Sequence, residues 1–251
     1  MGNAGPDANA GDGEGPVRNV GVAAFSIGAT AVTNRAFERF VAATGFVTDA
    51  ERYGASFVFY LQVPADRRAA LRRVAPRLPW WAEVAGACWR HPAGPTTQAE
   101  ADHPVVHVSW NDALAYCAWA GARLPTEAEW ECAARGGLVG KRFAWGDDLM
   151  RDGEPRCNVW RGEFPNRPAH GWHPGPVAAA SGEANGYGLF NVCGNVWEWC
   201  ADPFSPGQRA MRGGSFLCHD SYCNRYRVAA RGANTPASTA SNIGFRAVMR
   251  S

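Results

Sequence analysis

Apolar residues recur at helical spacing in three places, each with a start and a stop written beside it. After Thr33, the positions Phe37, Phe40 and Val41 share one face and Gly45 follows, which predicts a helix capped by Thr33. Ser109 opens Ser-Trp-Asn-Asp, a capping-box-like start for a helix carrying Leu114, Cys117 and Ala118 toward Gly121. Thr126 with Glu129 forms a capping box after Pro125, and Gly136-Gly137 ends that helix. Beyond about residue 138 the periodicity dissolves. Gly, Pro and Trp separate short strand-like runs there, so long ordered loops are expected in place of regular sheet layers. Residues 1–16, rich in Gly, Ala, Asp and Asn, cannot bury enough apolar surface to offset ordering entropy. They are predicted to be a disordered tail, with 17–251 as one catalytic domain.

Composition narrows the class. At 251 residues the chain can bury a substantial core as one large domain. A net charge of +2 leaves no electrostatic footprint for nucleic acid or an anionic membrane. No apolar run of about 18 residues could span a bilayer, and the N-terminus lacks the charged-then-apolar pattern of a signal peptide. A cytoplasmic protein is expected. In that compartment an even count of cysteines does not imply a disulfide framework, so Cys88, Cys132, Cys157, Cys193 and Cys200 are assigned to packing.

Cys218 and Cys223 stand apart, in the run Arg212-Gly-Gly-Ser-Phe-Leu-Cys-His-Asp-Ser-Tyr-Cys-Asn-Arg-Tyr-Arg227. Nearby cations favour thiolate, the form that attacks or ligates. The spacing allows a soft-metal site, a redox-active dithiol or a structural disulfide. A closed zinc site is disfavoured because no second Cys or His pair follows at ligand spacing, while two thiolates without further protein ligands suit Cu(I). His219 could be a third ligand or an ordinary surface histidine. In Asn191-Val-Cys-Gly-Asn-Val-Trp-Glu198, the carbonyls of Gly194 and Val196 with the oxygens of Asn191 and Glu198 could hold Ca2+. Alternatively, Glu198 is a buried carboxylate satisfied by backbone N–H groups or an Arg.

The thiol run, continuing through Val228-Ala-Ala-Arg231, Asn234-Thr-Pro and Ser241-Asn-Ile-Gly-Phe-Arg246, resembles the formylglycine-generating enzymes, the sulfatase-modifying factors. Upstream blocks agree: Val32-Thr-Asn, Ser56-Phe-Val-Phe, Pro79-Trp-Trp, Trp89-Arg-His-Pro, His103-Pro-Val-Val-His-Val-Ser-Trp-Asn-Asp112, Arg123-Leu-Pro-Thr-Glu-Ala-Glu-Trp130, Asn185-Gly-Tyr-Gly-Leu189 and Gly194-Asn-Val-Trp-Glu-Trp199. Two of these, Leu-Pro-Thr-Glu-Ala-Glu-Trp and Gly-Asn-Val-Trp-Glu-Trp, mark only the wider superfamily, whereas the two-cysteine block singles out the family. The resemblance implies a single α+β domain with little regular secondary structure, related to C-type lectins. It also implies Cu(I) on Cys218 and Cys223, and oxidation by O2 of a cysteine in a Cys-x-Pro-x-Arg motif of an unfolded or nascent type I sulfatase, giving Cα-formylglycine. Ser215 and Tyr222 would line the site, Trp197 would shield the oxygen pocket, and Arg231, Asn242 and Arg246 would hold the loop. Structural calcium would sit at Asn191, Gly194, Val196 and Glu198. A second set would include Asn158 and the carbonyl of Val159, although His170 stands where an Asp is usual. Of the family's two structural disulfides, one would pair Cys117 with Ala247 and the other Ala134 with Val228, so both are absent. Residues 202–209 read as a shortened loop. Trp80, Trp81, Phe57, Phe59 and Trp89 could line a peptide groove or belong to the core.

Three rivals remain. A non-catalytic ligand-binding member of the superfamily would lack the thiols. A sulfoxide synthase would carry an added helical domain with a His-rich iron motif. A thiol-disulfide oxidoreductase would use C-x2-C at a helix start. None of these features fits this chain.

Overall fold

Local caps decide the first half of the molecule. The computed structural model describes residues 1–9, 11–73 and 78–250, so residue 10 of the predicted tail lies outside the described residues. Helix α1 (Asn34–Thr44) is capped by Thr33, whose side chain accepts from the Ala36 N–H, and ends at Gly45 with φ 66°. Phe37 and Phe40 are buried as their spacing predicts. Helix α2 (Asp49–Tyr53) was not anticipated; a Thr48–Glu51 capping box and the left-handed Gly54 bound its five residues. Helix α3 (Trp110–Trp119) starts at the Ser109–Asp112 capping box, but it buries Ala113, Tyr116 and Cys117 and leaves Leu114 and Ala118 outward. Helix α4 (Glu127–Arg135) follows the Thr126–Glu129 box and stops at Gly136.

The expectation of loops holds for residues 138–196, where strands are two residues long, and fails after that. Four strands form a sheet in the order Arg231–Asn234, Gln208–Arg212, Trp197–Ser205, Ile243–Phe245. The last pair is parallel and the others are antiparallel. The segment read as a shortened loop is the hairpin joining two of these strands, and the ladder slips in register beside Pro203. Alternation along Trp197–Ser205 sends neighbours to opposite faces. Trp199 enters a core with Phe37, Phe40, Trp89, Tyr116 and Phe245, and Cys200 enters one with Trp130, Phe143 and Tyr226. With Glu198 buried beside Trp199 and Cys200 and with Asp202 and Pro203 following, the strand shows no apolar–polar alternation to search for.

All eight cysteines are unpaired. Cys132 departs from the packing assignment, being exposed on α4. Where disulfides are absent, apolar contacts stand in: Ala247 packs on the core containing Cys117, and Ala134 and Val228 share the other. Among the described residues no helix is long and apolar enough to cross a membrane.

The N-terminal segment is not the loose tail that its composition suggests. Glu14 is 2% exposed and pairs with Arg227, itself 1% exposed, through bonds of 2.7 and 2.8 Å. Asp12 pairs with Arg225, Asp7 with Arg142, and the Gly2 N–H donates to Glu131. Composition undercounts such a segment because its anchors are ion pairs to distant residues, not apolar burial.

Candidate active site

The thiol loop is built on a reversal that only glycine permits. Gly214 has φ +69°, and a Cβ there would lie 2.8 Å from the Arg225 carbonyl. This brings residues 214 and 225 together and folds the intervening loop back on itself. The His219 carbonyl accepts from the N–H groups of Tyr222 and Cys223, both at 2.9 Å. Ser215 is buried, its N–H donates to Cys218 Sγ at 3.4 Å, and its hydroxyl accepts from Asn242 Nδ2 at 3.0 Å. Asn242 thus holds the loop, as expected. Arg231 and Arg246 act at a remove, bound to Glu127 and Glu198.

Cys218 and Cys223 place their sulfurs 2.9 Å apart and are 2% and 7% exposed. The Cys223 thiol is drawn down to about 7, first by a hydrogen bond from the Cys218 S–H, with the Arg225 N–H and charge adding to it against burial. Burial and that same shared proton push Cys218 up. One thiolate beside one thiol therefore forms near neutral pH. Two sulfurs with no hard donor between them suit a soft, low-coordinate ion, so the residues present fit Cu(I).

Above the pair opens a cleft of about 570 Å³ lined by all five expected site residues, Cys218, Cys223, Ser215, Tyr222 and Trp197. Trp197 reaches it because Gly232 is small: a Cβ there would meet the indole at 2.7 Å. Tyr222 stacks on Phe164 at 4.7 Å and meets Trp80 edge-on at 5.0 Å. Phe57, Trp80 and Trp81 line the cleft, whereas Phe59 and Trp89 are 0% and 2% exposed and belong to the core. Sequence reading missed Phe164, Asp12 and Arg225; the last two come together only through the N-terminal segment.

The calcium expectation fares differently. Glu198 accepts from Arg246 Nη2 at 2.9 Å, from Arg246 Nε at 3.0 Å and from Trp130 Nε1 at 2.6 Å, with Arg246 fully buried. A carboxylate matched to a buried guanidinium is not free for a cation. Asn191 directs its Nδ2 to the carbonyls of Ala178, Ala179 and Ser181. Gly194 uses its N–H on the Gly213 carbonyl, and Val196 packs with Ala31 and Val106. Asn158 is engaged with Gly175 and Asn195, next to a buried Val159, and His170 is exposed. Glu198 thus follows the alternative of a carboxylate satisfied by Arg, while these contacts of Asn191, Gly194 and Asn158 engage their nitrogens and not the oxygens expected as ligands. Glu198→Ala should then cost about 3–5 kcal/mol, because it strands the Arg246 charge. Urea unfolding measures this; a loss under about 1 kcal/mol would refute the pairing.

A family model described as "Sulfatase-modifying factor enzyme 1-like domain" matches residues 1–251. The chain belongs to this family. The formylglycine-generating enzyme of Streptomyces coelicolor is 53% identical over 266 residues, spanning 98% of this chain and 84% of that one. Its counterpart from Thermomonospora curvata is 52% identical, spanning 98% and 88%. The "Inactive C-alpha-formylglycine-generating enzyme 2" of Mus musculus is 45% identical, spanning 98% and 81%. Among solved structures, PvdO from Pseudomonas aeruginosa superposes with a TM-score of 0.67 at 21% identity, covering 94% of this chain and 85% of that one. The architecture is thus the sulfatase-modifying-factor fold, a single α+β domain with little regular secondary structure.

Proposed function

We propose that this chain oxidises the cysteine of a Cys-x-Pro-x-Arg segment in an unfolded or nascent type I sulfatase to Cα-formylglycine, the Cβ–S bond breaking and the sulfur leaving as hydrogen sulfide, with O2 as acceptor and Cu(I) held by Cys218 and Cys223. The observation that carries the reading is the pair of buried thiols 2.9 Å apart at the floor of an aromatic cleft. Bound there, Cu(I) would supply the O2 chemistry that side chains lack. The chain's own residues do the rest. Ser215 fixes the Cys218 sulfur through its N–H, and Asn242 fixes Ser215. Trp197 and the Trp80–Phe164–Tyr222 cluster offer apolar walls against which a preordered, proline-containing peptide can lie and exclude water. The cytoplasm, where thiols stay reduced, suits eight unpaired cysteines.

A second reading is a non-catalytic, ligand-binding member, which the similarity to an inactive relative keeps in view. Retention of both thiols favours the enzyme. The experiment is incubation of the Cu(I)-loaded protein in air with a Cys-x-Pro-x-Arg peptide and with a scrambled cysteine peptide, followed by mass spectrometry. Conversion of thiol to aldehyde is expected in the first, at a rate roughly tenfold or more above the second. Equal rates would leave a generic thiol oxidase; no conversion of either would leave the binding module.

A further inference from the structure

Among the described residues that line the cleft, Asp12 is the sole carboxylate and Arg225 the sole cation. They face each other squarely: Arg225 Nε donates to Asp12 Oδ2 at 2.6 Å and Nη2 to Oδ1 at 3.0 Å. Both remain in reach of solvent, with side chains 15% and 31% exposed. The backbone beneath them is anchored. Arg231 Nη1 donates to the carbonyls of Asp12 and Gly13, Glu14 is locked to Arg227, and Asn9 Nδ2 donates to the Cys223 carbonyl. The N-terminal segment therefore delivers one negative charge to a fixed point of the thiol cleft, whose other described lining residues, Arg225 and the thiols apart, are neutral groups such as Phe57, Trp80 and Phe204.

A carboxylate has about four acceptor positions, and Arg225 occupies two. Two guanidinium groups can share one carboxylate in this protein: Glu127 accepts from Arg212 and Arg231 together. A guanidinium is also the group best shaped to add a directed, charge-assisted bond at such a point.

Building on the peptide-oxidising role proposed above, we propose that Asp12 is a specificity-determining residue that receives the basic side chain of the substrate peptide, sharing its carboxylate with Arg225. Arg225 then orients the carboxylate and competes for it. These two roles predict opposite effects of two substitutions on one ratio.

That ratio is kcat/KM for Cys-x-Pro-x-Arg over Cys-x-Pro-x-Ala. It should be about tenfold or more in the wild-type protein, as expected for one charge-assisted contact. In Asp12→Asn it should fall to within about twofold of unity, and in Arg225→Gln, with the internal competitor gone, it should rise above wild type. A general loss of folding or of thiol geometry lowers both peptides alike and cancels. The same ratio, read as Kd by calorimetry with Ser replacing the peptide Cys, needs no turnover. Binding that prefers Arg, without oxidation of any cysteine peptide, would reject the oxidase reading and leave Asp12 as the anchor. An Arg preference that survives Asp12→Asn unchanged would overturn the inference, as would a ratio that falls in Arg225→Gln.

Discussion

Cys218→Ala and Cys223→Ala are each expected to abolish tight Cu(I) binding and aldehyde formation together. Among the described residues no group of three His, Cys, Asp or Glu side chains is placed to hold a metal, so the two sulfurs at the cleft floor would carry the ion without a third such ligand. His219 turns its Nδ1 to the Ser221 hydroxyl at 2.8 Å. Losing one sulfur leaves a single donor, so turnover should drop by roughly 10³-fold or more, and the double variant should be no worse than either single one. Competition against a coloured Cu(I) chelator measures the binding; full affinity in the double variant would remove the two-thiolate site. Metal-free protein offers an independent check. The Cys223 thiol lies at about 7 chiefly because Cys218 donates to its thiolate. Alkylation of Cys223 should be half-maximal near that pH in the wild type, and the midpoint should move upward in Cys218→Ala because the stabilising donor has gone.

Glu14→Ala should be the most destabilising substitution in the first sixteen residues, costing about 3–5 kcal/mol, although it sits between Gly13 and Gly15. Arg227 is 1% exposed, and both Glu14 oxygens bond to it, so truncation leaves a guanidinium buried without its main counter-charge. The remaining carboxylate, Asp7, lies 3.8 Å from Arg227 and cannot replace a bidentate partner. Urea unfolding should show the loss, and Glu14→Ala combined with Arg227→Met should recover much of it by removing the stranded charge. A neutral Glu14→Ala would mean that the segment contributes nothing to the folded state.

Most of the helical frame was legible because capping is a short-range affair. Thr33, Ser109 and Thr126 meet backbone groups within three residues, so their role follows from sequence alone. The face that α3 buries was not, because Leu114 and Cys117 are both apolar and only the packing of Tyr116 on Phe245 selects the side. The aromatic groove divided in the same way. Phe57 and Phe59 lie two apart on one strand and share a face, yet Phe57 is exposed at the cleft while Phe59 is buried against Trp160 and Phe164, so neither residue type nor strand period distinguishes them.

By itself the sequence determined the elements that depend on neighbours: the caps, the Cys218–Cys223 motif with its spacing, and the family to which those motifs belong. The tertiary structure alone decided where charges go. Glu198 meets Arg246 across 48 positions and Glu14 meets Arg227 across 213, and these pairings turn an expected calcium ligand into an ion-pair partner and an expected tail into part of the cleft. A carboxylate looks the same in sequence whether it will face a metal, a guanidinium or water. Its role is set by which opposite charge the fold brings within about 3 Å, since Coulomb attraction in a buried site falls off with distance and not with sequence separation.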